Sequence, residues 1–227
     1  MDKVKFEKTK AHQTYKTPDG VKVPGVTTVL GATIPKPALL AWAWKLGTEG
    51  IDFRKSRDQA ADIGTIAHWL VECHLLGKDP DTSTFAPDDL SKAENSVIKF
   101  MSWWDTSKFE LIASEKQLVA DIEPFFGGTL DILAKDDAGK ICLIDLKSGK
   151  GIYPEMWYQL SAYAKLYECN RGSSGEHLSR YIICRIGKEA SEGDFEVQER
   201  QDLGREWNVF EKCLALYQAL KQAKRPV

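Results

Sequence analysis

The sequence lacks long apolar runs and carries almost no net charge. No apolar stretch approaches the roughly 18 residues that span a bilayer, so we expect no membrane partner. The first sixteen residues have no apolar core of the kind found in secretory signals. Lys and Arg number 31 against 33 Asp and Glu, a formal net charge of -2. This balance excludes a strongly cationic nucleic-acid coat but leaves room for a local basic groove.

Cysteine is also scarce. The five cysteines are scattered along the chain, and none stands in a CxxC pair. An odd, dispersed set argues against a disulfide framework. It argues equally against a zinc ribbon or a locally bound iron–sulfur cluster. We therefore expect a protein of a reducing compartment.

The composition is that of an ordinary globular protein. The spacing of its hydrophobic residues changes along the chain from helical to strand-like. Of the 227 residues, 43% are hydrophobic and 28% are charged. Residues 1–35 predict short extended pieces, because Val21, Val23 and Val26 favour strand. Helices are expected at about 39–46, 56–76, 88–104, 154–168 and 210–220, and strands at 111–119, 128–134, 140–146, 181–186 and 195–198. This order predicts an α/β domain with a mixed sheet flanked by helices.

Two carboxylates and a lysine fall at the ends of adjacent predicted strands. Residues two apart on a strand share a face, so Asp145 and Lys147 project together from the end of an apolar strand. Taken alone, this pair is most simply a salt bridge. Asp131 lies in an apolar strand that is expected to be the hairpin neighbour of the first. Two carboxylates so placed favour a Mg²⁺ site, with Lys147 able to orient water or stabilise charge on a phosphodiester.

Other polar residues are ambiguous when each is taken alone. His68 fits a helix-surface or core histidine, and Glu115 fits an exposed charge on its strand. Gln159 and Tyr163 are one helical turn apart and can donate hydrogen bonds to phosphate, although taken alone they are more simply explained by ordinary amphipathic packing. At most one or two of five tryptophans are expected to stack on bases, since helical spacing is typical of core positions. These are Trp42, Trp44, Trp69, Trp103 and Trp104.

In their order and spacing, these motifs resemble the PD-(D/E)XK nuclease superfamily, and within it the RecB-like group that includes phage and mitochondrial exonucleases. The segment 64–68 is similar to its helical GxxxH, and 159–163 to its QxxxY. The segment 128–131 is similar to its GxxD, with Leu130 where the superfamily has proline, and 145–147 to its DxK. Glu115 falls on the strand before GxxD, where many members carry a glutamate.

The resemblance implies a restriction-endonuclease-like αβββαβ core with an N-terminal helical elaboration. The implied single domain comprises the elaboration (1–58), the catalytic core (59–200) and a C-terminal helix (201–227). Mg²⁺ or Mn²⁺ would be held by His68, Asp131, Asp145 and the backbone carbonyl of Leu146. The implied catalytic residues are Lys147, Asp145, Asp131 and Glu115, and Gln159 and Tyr163 would bind substrate. Lys150 is a candidate for a groove that tracks phosphates.

Some relatives hold an iron–sulfur cluster with one cysteine before the core and three after it. Cys169, Cys184 and Cys213 are too far apart for that pattern, so we expect no cluster. The chain has no P-loop, which makes any helicase partner a separate chain. A recombinase or a single-strand-binding protein is a further candidate partner. The expected location is the cytoplasm of a bacterial or phage-infected cell, or the mitochondrial matrix in a eukaryote.

The residues predict metal-dependent hydrolysis of phosphodiester bonds, and the resemblance implies a DNA exonuclease acting from ends on single-stranded or resected DNA, in recombination or repair. Two alternatives stay open. A structure-specific or restriction-type endonuclease on the same core would cut a circular substrate, whereas an enzyme that needs an end would leave it intact. A non-catalytic DNA-binding subunit would be marked by loss of Asp145 or Lys147, and both are present.

Overall fold

The secondary structure follows the predicted order from the first long helix onward. A computed structural model describes residues 3–6, 13–121, 123–172, 175–191 and 193–223. Its elements in chain order are β1 (Val4–Lys5), β2 (Tyr15–Lys16), β3 (Lys22–Val23), α1 (Val26–Thr33), α2 (Pro37–Thr48), α3 (Phe53–Leu75), β4 (Pro80–Asp81), α4 (Pro87–Ser107), β5 (Glu110–Val119), β6 (Gly127–Lys135), β7 (Ile141–Lys147), α5 (Pro154–Asn170), β8 (Leu178–Ile186), β9 (Phe195–Arg200) and α6 (Gly204–Ala223).

A five-stranded mixed sheet in the order β5-β6-β7-β8-β9 forms the centre of the fold. The first three strands are antiparallel, β7 and β8 are parallel, and β9 returns antiparallel to β8. The parallel step uses α5 as its crossover, as a parallel pair requires. Helices followed by three strands, a helix and a strand confirm the predicted αβββαβ order and the α/β class.

Helices cover both faces of this sheet. One core packs α1, α5 and α6 against the sheet, and the other packs α3 and α4 against the opposite face. Side chains of β7 alternate between the two, with Leu143 in the first core and Ile144 in the second. Burial on both faces explains why β7 is a nearly continuous apolar run. Among the described residues, every helix is too short or too polar to cross a lipid bilayer.

The expectation of extended structure throughout residues 1–35 is wrong for the segment 26–33. Those residues form α1, although β-branched residues disfavour a helix. Val26, Val29 and Leu30, spaced as one helical face, are all buried in the core with α5 and α6. Tertiary burial therefore outweighs the local preference. Residues 7–12 of the same region lie outside the described residues.

The long helix that carries His68 begins earlier than its apolar pattern indicates. The pattern predicts a start at Ser56, whereas α3 begins at Phe53 with Asp52 as its N-cap. The Asp52 carboxylate accepts a hydrogen bond from the backbone N–H of Arg54 at 2.8 Å. Such a cap satisfies one of the orphan donors in the first turn, so it extends the helix by about one turn beyond its apolar stripe.

Substituting Gly128 by alanine is expected to destabilise the protein. A Cβ at this position in β6 would lie 2.6 Å from Tyr163 Cε1 and 3.0 Å from Leu166 Cδ1, both on α5. Overpacking of this kind costs about 1–3 kcal/mol. The matched control is Gly31→Ala in α1, where an added Cβ meets nothing within 4 Å and the helix gains about 0.5–1 kcal/mol. Urea denaturation checks both, and equal stability of the two variants would contradict the packing argument.

Candidate metal centre

The β6–β7 pairing brings the two strand carboxylates together. Ile132 pairs with Ile144 in the antiparallel register, which sets Asp131 opposite Asp145. The Asp131 carboxylate accepts a hydrogen bond from the backbone N–H of Leu146 at 2.7 Å. Burial raises the pKa of Asp131, opposed by the nearby Lys147 ammonium. The strand register alone therefore creates a concentration of negative charge at this end of the sheet.

Asp145 is the most deeply buried acidic group of the site, at 1% exposure. Lys147 Nζ lies 2.5 Å from its Oδ2, forming an ion pair whose lysine side chain is 16% exposed. Apart from this ion pair, neither carboxylate oxygen of Asp145 has a hydrogen-bond partner among the described residues. Burial raises the pKa of Asp145 to about 6 against the opposing effect of Lys147. A buried carboxylate with an unused oxygen is an incomplete site that a cation can complete.

His68 reaches the same region from α3. The helix comes close to the loop after β7 because Gly64 has no side chain, and a Cβ there would lie 2.3 Å from Ser148 Oγ. Burial, followed by repulsion from Lys147, lowers the pKa of His68 to about 4. The imidazole is therefore neutral at pH 7, which is the form that binds metals.

Glu115 completes the cluster from the edge strand β5. Ser114 pairs with Ile132 and Lys116 with Leu130, so Glu115 faces Asp131 across the two strands. Its backbone is left-handed, with φ of 49°, a conformation that costs a non-glycine residue about 1–3 kcal/mol and that concentrates at functional sites. Desolvation of its carboxylate by the surrounding groups, then repulsion from Asp131, raises the pKa of Glu115 to about 8. Glu115 is exposed, as its place on the strand indicates, and its carboxylate is also part of the acidic centre.

One ligand atom from each of His68, Glu115 and Asp131 lies within 4.8 Å of the other two. An imidazole nitrogen and two carboxylate oxygens suit a divalent cation, and oxygen ligands favour Mg²⁺ or Mn²⁺. Together with the unused oxygen of Asp145, this donor set fits the metal expected from the sequence. Asp145 itself is paired with Lys147 and lies outside the three-residue set, and the side chain of Leu146 is buried in the core. Direct ligation by these two residues stays a prediction.

The remaining predicted site residues lie on α5 and on the loop after β7. Gln159 Nε2 donates a hydrogen bond to Tyr163 Oη at 2.8 Å. Tyr163 is 5% exposed and packs against Gly128, so its ring lies under β6. Burial raises its pKa, which keeps the hydroxyl protonated. Lys150 is exposed on the loop. The structure thus joins Gln159 and Tyr163 to each other, and substrate binding by these three residues stays a prediction.

The cluster opens into a cleft of about 790 Å³ whose walls include residues that sequence reasoning missed. Glu72 lies one helical turn beyond His68, and Gln117 lies two residues beyond Glu115 on the same strand. Helix and strand periodicity could have identified both. Phe6 and Gln13 also line the cleft, but they come from the N-terminal segment, and no local pattern relates them to the site.

Comparison with solved structures finds partial backbone similarity. The alkaline exonuclease LHK-Exo from Laribacter hongkongensis matches 73% of this chain and 86% of its own, with 12% identity and a TM-score of 0.42. Its complex with dAMP matches over the same shares, with 12% identity and a TM-score of 0.43. SSO0001 matches 58% of this chain at 15% identity and a TM-score of 0.34, and the chain spans 62% of its length. No family model and no curated protein matches the sequence.

Proposed function

We propose that the protein is a metal-dependent DNA nuclease that hydrolyses phosphodiester bonds. The observation that carries this proposal is the convergence of His68, Glu115 and Asp131, within 4.8 Å of one another, at an open cleft beside the Asp145–Lys147 ion pair. A purely structural ion pair does not explain a third carboxylate and a neutral imidazole at the same place. In the described part of the chain, three carboxylates that converge with only the one ammonium of Lys147 beside them repel one another, so their convergence supports a bound cation.

His68, Glu115 and Asp131 would hold the cation, with Asp145 beside them. When bound, a divalent cation there would lower the pKa of a water molecule and offset negative charge on a phosphodiester. Asp131 is held in orientation by the N–H of Leu146, and His68 by the close approach of α3 to the loop after β7. The ligand set is therefore preorganised by strand register and helix packing, which limits the reorganisation needed during reaction.

Lys147 is the group we assign to charge stabilisation and water orientation. Its ammonium is held against Asp145 and is mostly shielded from solvent, where a positive charge acts more strongly than it does in bulk water. From this position it can donate a hydrogen bond to a phosphate oxygen or to an attacking water. Glu115 would contribute as a ligand of the cation, since its carboxylate is one of the three clustered ligand groups.

The finer assignment is an exonuclease that acts from ends of single-stranded or resected DNA, in recombination or repair. It derives from the order of the four sequence motifs rather than from the geometry of the centre. A recombinase, a single-strand-binding protein or a separate helicase would be the corresponding partners. Lys150 would contact phosphates at the mouth of the site, since it is exposed on the loop that follows Lys147.

Parallel digestion of end-labelled single-stranded, duplex and circular DNA, with RNA as a control, tests the proposal. We expect cleavage of DNA in Mg²⁺ or Mn²⁺, complete loss in EDTA, and an intact circle. Cleavage of the circle would replace the exonuclease by an endonuclease on the same centre. Binding of DNA without cleavage in either metal would refute hydrolysis and support a non-catalytic subunit.

A further inference from the structure

One wall of the cleft is aromatic. Phe6 and Trp69 line the same cleft as His68, Glu115 and Asp131. The ring of Phe6 contacts Trp69 edge to face with centroids 5.3 Å apart, and contacts Phe85 in the same manner at 5.1 Å. Trp69 and Phe85 contact each other at 5.8 Å. We call Phe6 and Trp69 the aromatic wall; Phe85 is not among the residues that line the cleft and supports the two rings through its contacts with them.

Two remote parts of the chain build this wall. Trp69 follows His68 on α3, so it is placed by the same helix that delivers the imidazole. Phe6 is brought in by β1, which pairs in parallel with β4, and the Val4 N–H donates to the carbonyl of Asp79 at 2.8 Å. Trp69 and Phe85 also pack on the core beneath α3 and α4. The rings are therefore fixed before any ligand arrives, which lowers the entropic cost of binding.

We propose that the aromatic wall stacks on an unpaired base of the DNA strand whose phosphodiester lies at His68, Glu115 and Asp131. The inference rests on the proposed nuclease function and specifies how its substrate is held. A nucleotide has a flat base and an anionic phosphate. In this cleft the aromatic wall suits the base, and the neighbouring candidate cation centre suits the phosphate. Its volume of about 790 Å³ falls in the range of small-ligand sites, about 300–1,000 Å³.

Stacking on this wall would select single-stranded over duplex DNA. Every base offers a π-face, so the contact tolerates any sequence. In a duplex both faces of an internal base are already stacked on its neighbours, and only an unpaired or frayed base can turn toward Trp69. Lys5, which also lines the cleft, adds a cation on the same side.

The proposal is tested by measuring DNA binding while changing both partners: substitutions are made at Trp69, and abasic sites are placed in turn along the DNA strand. The probe is a fluorescein-labelled 12-nucleotide single strand and twelve versions of it, each with one abasic site. Binding is measured by anisotropy in Mg²⁺ with the Lys147→Ala variant, after a gel shows that the probe is intact. We expect one or two adjacent abasic positions to weaken binding about 5- to 150-fold, the range for loss of one stacked base.

Adding Trp69→Leu should weaken binding of the unmodified strand by the same factor. In that variant an abasic site at the sensitive positions should have no further effect on binding, because the variant and the abasic site remove the same stacking contact. Trp69→Phe keeps a π-face and should keep the abasic profile, so it shows stacking even where leucine disturbs the fold. The control is Leu216→Ala on α6, an apolar side chain that is 49% exposed and outside the cleft lining, which should leave the profile unchanged.

The proposal is overturned if the effects of Trp69→Leu and of the abasic sites add at every position, if no position is sensitive, or if the strand does not bind. Because the experiment measures binding and not cleavage, its result tests the stacking proposal independently of the proposed nuclease activity. A non-additive profile without cleavage by the unmodified protein would refute hydrolysis alone. Additive effects together with metal-dependent cleavage would refute stacking alone.

Discussion

Lys147→Ala is expected to slow phosphodiester hydrolysis about 10²- to 10³-fold, the usual cost of removing one preorganised group that stabilises charge in the transition state. The ammonium lies 2.5 Å from the Asp145 carboxylate at the edge of the cluster, so its removal takes away the mostly shielded cation nearest to the candidate ligands. Lys147→Arg should recover only part of the rate, because the guanidinium is planar and broader. Single-turnover cleavage of end-labelled single-stranded DNA measures all three proteins.

The matched control for this variant is Lys212→Ala on α6. That side chain is 74% exposed and, among the described residues, pairs only with its neighbour Glu211 at 3.5 Å, so its loss should leave the rate within about twofold, since surface ion pairs are worth little. Thermal melting separates a chemical defect from a folding defect. A Lys147→Ala protein that melts normally and cleaves at the unmodified rate would remove Lys147 from the reaction.

Asp131→Asn is expected to change stability in opposite directions with and without metal. Because burial raises the pKa of Asp131, its ionised form costs folding free energy, and that cost grows as the pH rises from the ordinary pKa of aspartate to the raised pKa and stays constant above it. Asparagine cannot ionise, and its amide oxygen can still accept the hydrogen bond from the Leu146 N–H. In EDTA at pH 8 the variant should therefore melt above the unmodified protein.

In Mn²⁺ the order should reverse. A site at 100-fold excess of ligand over Kd stabilises the folded state by about 2.7 kcal/mol. For a protein of this size that free energy corresponds to a rise in Tm of about 5–10 °C. The unmodified protein should show this rise, and Asp131→Asn should lose most of it because one of the three clustered ligand atoms is neutralised. Differential scanning fluorimetry across a Mn²⁺ series measures both effects.

Asp19→Asn is the matched control for this change. Asp19 is exposed in the turn between β2 and β3, away from the residues that line the cleft. It should leave the melting temperature in EDTA and the response to Mn²⁺ unaltered. A full Mn²⁺ response in Asp131→Asn would show that Asp131 is not a ligand, whatever the outcome in EDTA.

Much of the fold could be predicted because its elements are encoded by neighbouring residues. The apolar run of β7 favoured a central strand, and all its residues except Lys147 are buried. The turn 136–139, which joins β6 to β7, is also encoded by neighbouring residues. Gly139 takes a φ of 78°, and the Asp136 carboxylate accepts hydrogen bonds from the backbone N–H groups of Ala138 and Lys140. The apolar pattern of the strand and the hydrogen bonds of the turn each involve residues that are close together in the sequence.

Elements whose stability comes from distant partners could not be predicted in the same way. Helix α1 is the clearest example, because Val26 and Val29 favour strand locally and are helical only where α5 and α6 bury them. The early start of α3 at Phe53 was missed for a different reason. It depends on the side-chain cap by Asp52, which an apolar pattern does not record.

For the candidate site, the linear order of residues was enough to nominate Asp131, Asp145 and Lys147, because strand alternation and hairpin pairing already set two carboxylates and an ammonium near one another. It did not determine that Glu115 takes a left-handed backbone opposite Asp131, or that Phe6 rests on Trp69. Those arrangements arise where separate segments meet. Local periodicity fixes which face a side chain occupies, but only strand register and helix packing decide which faces come together.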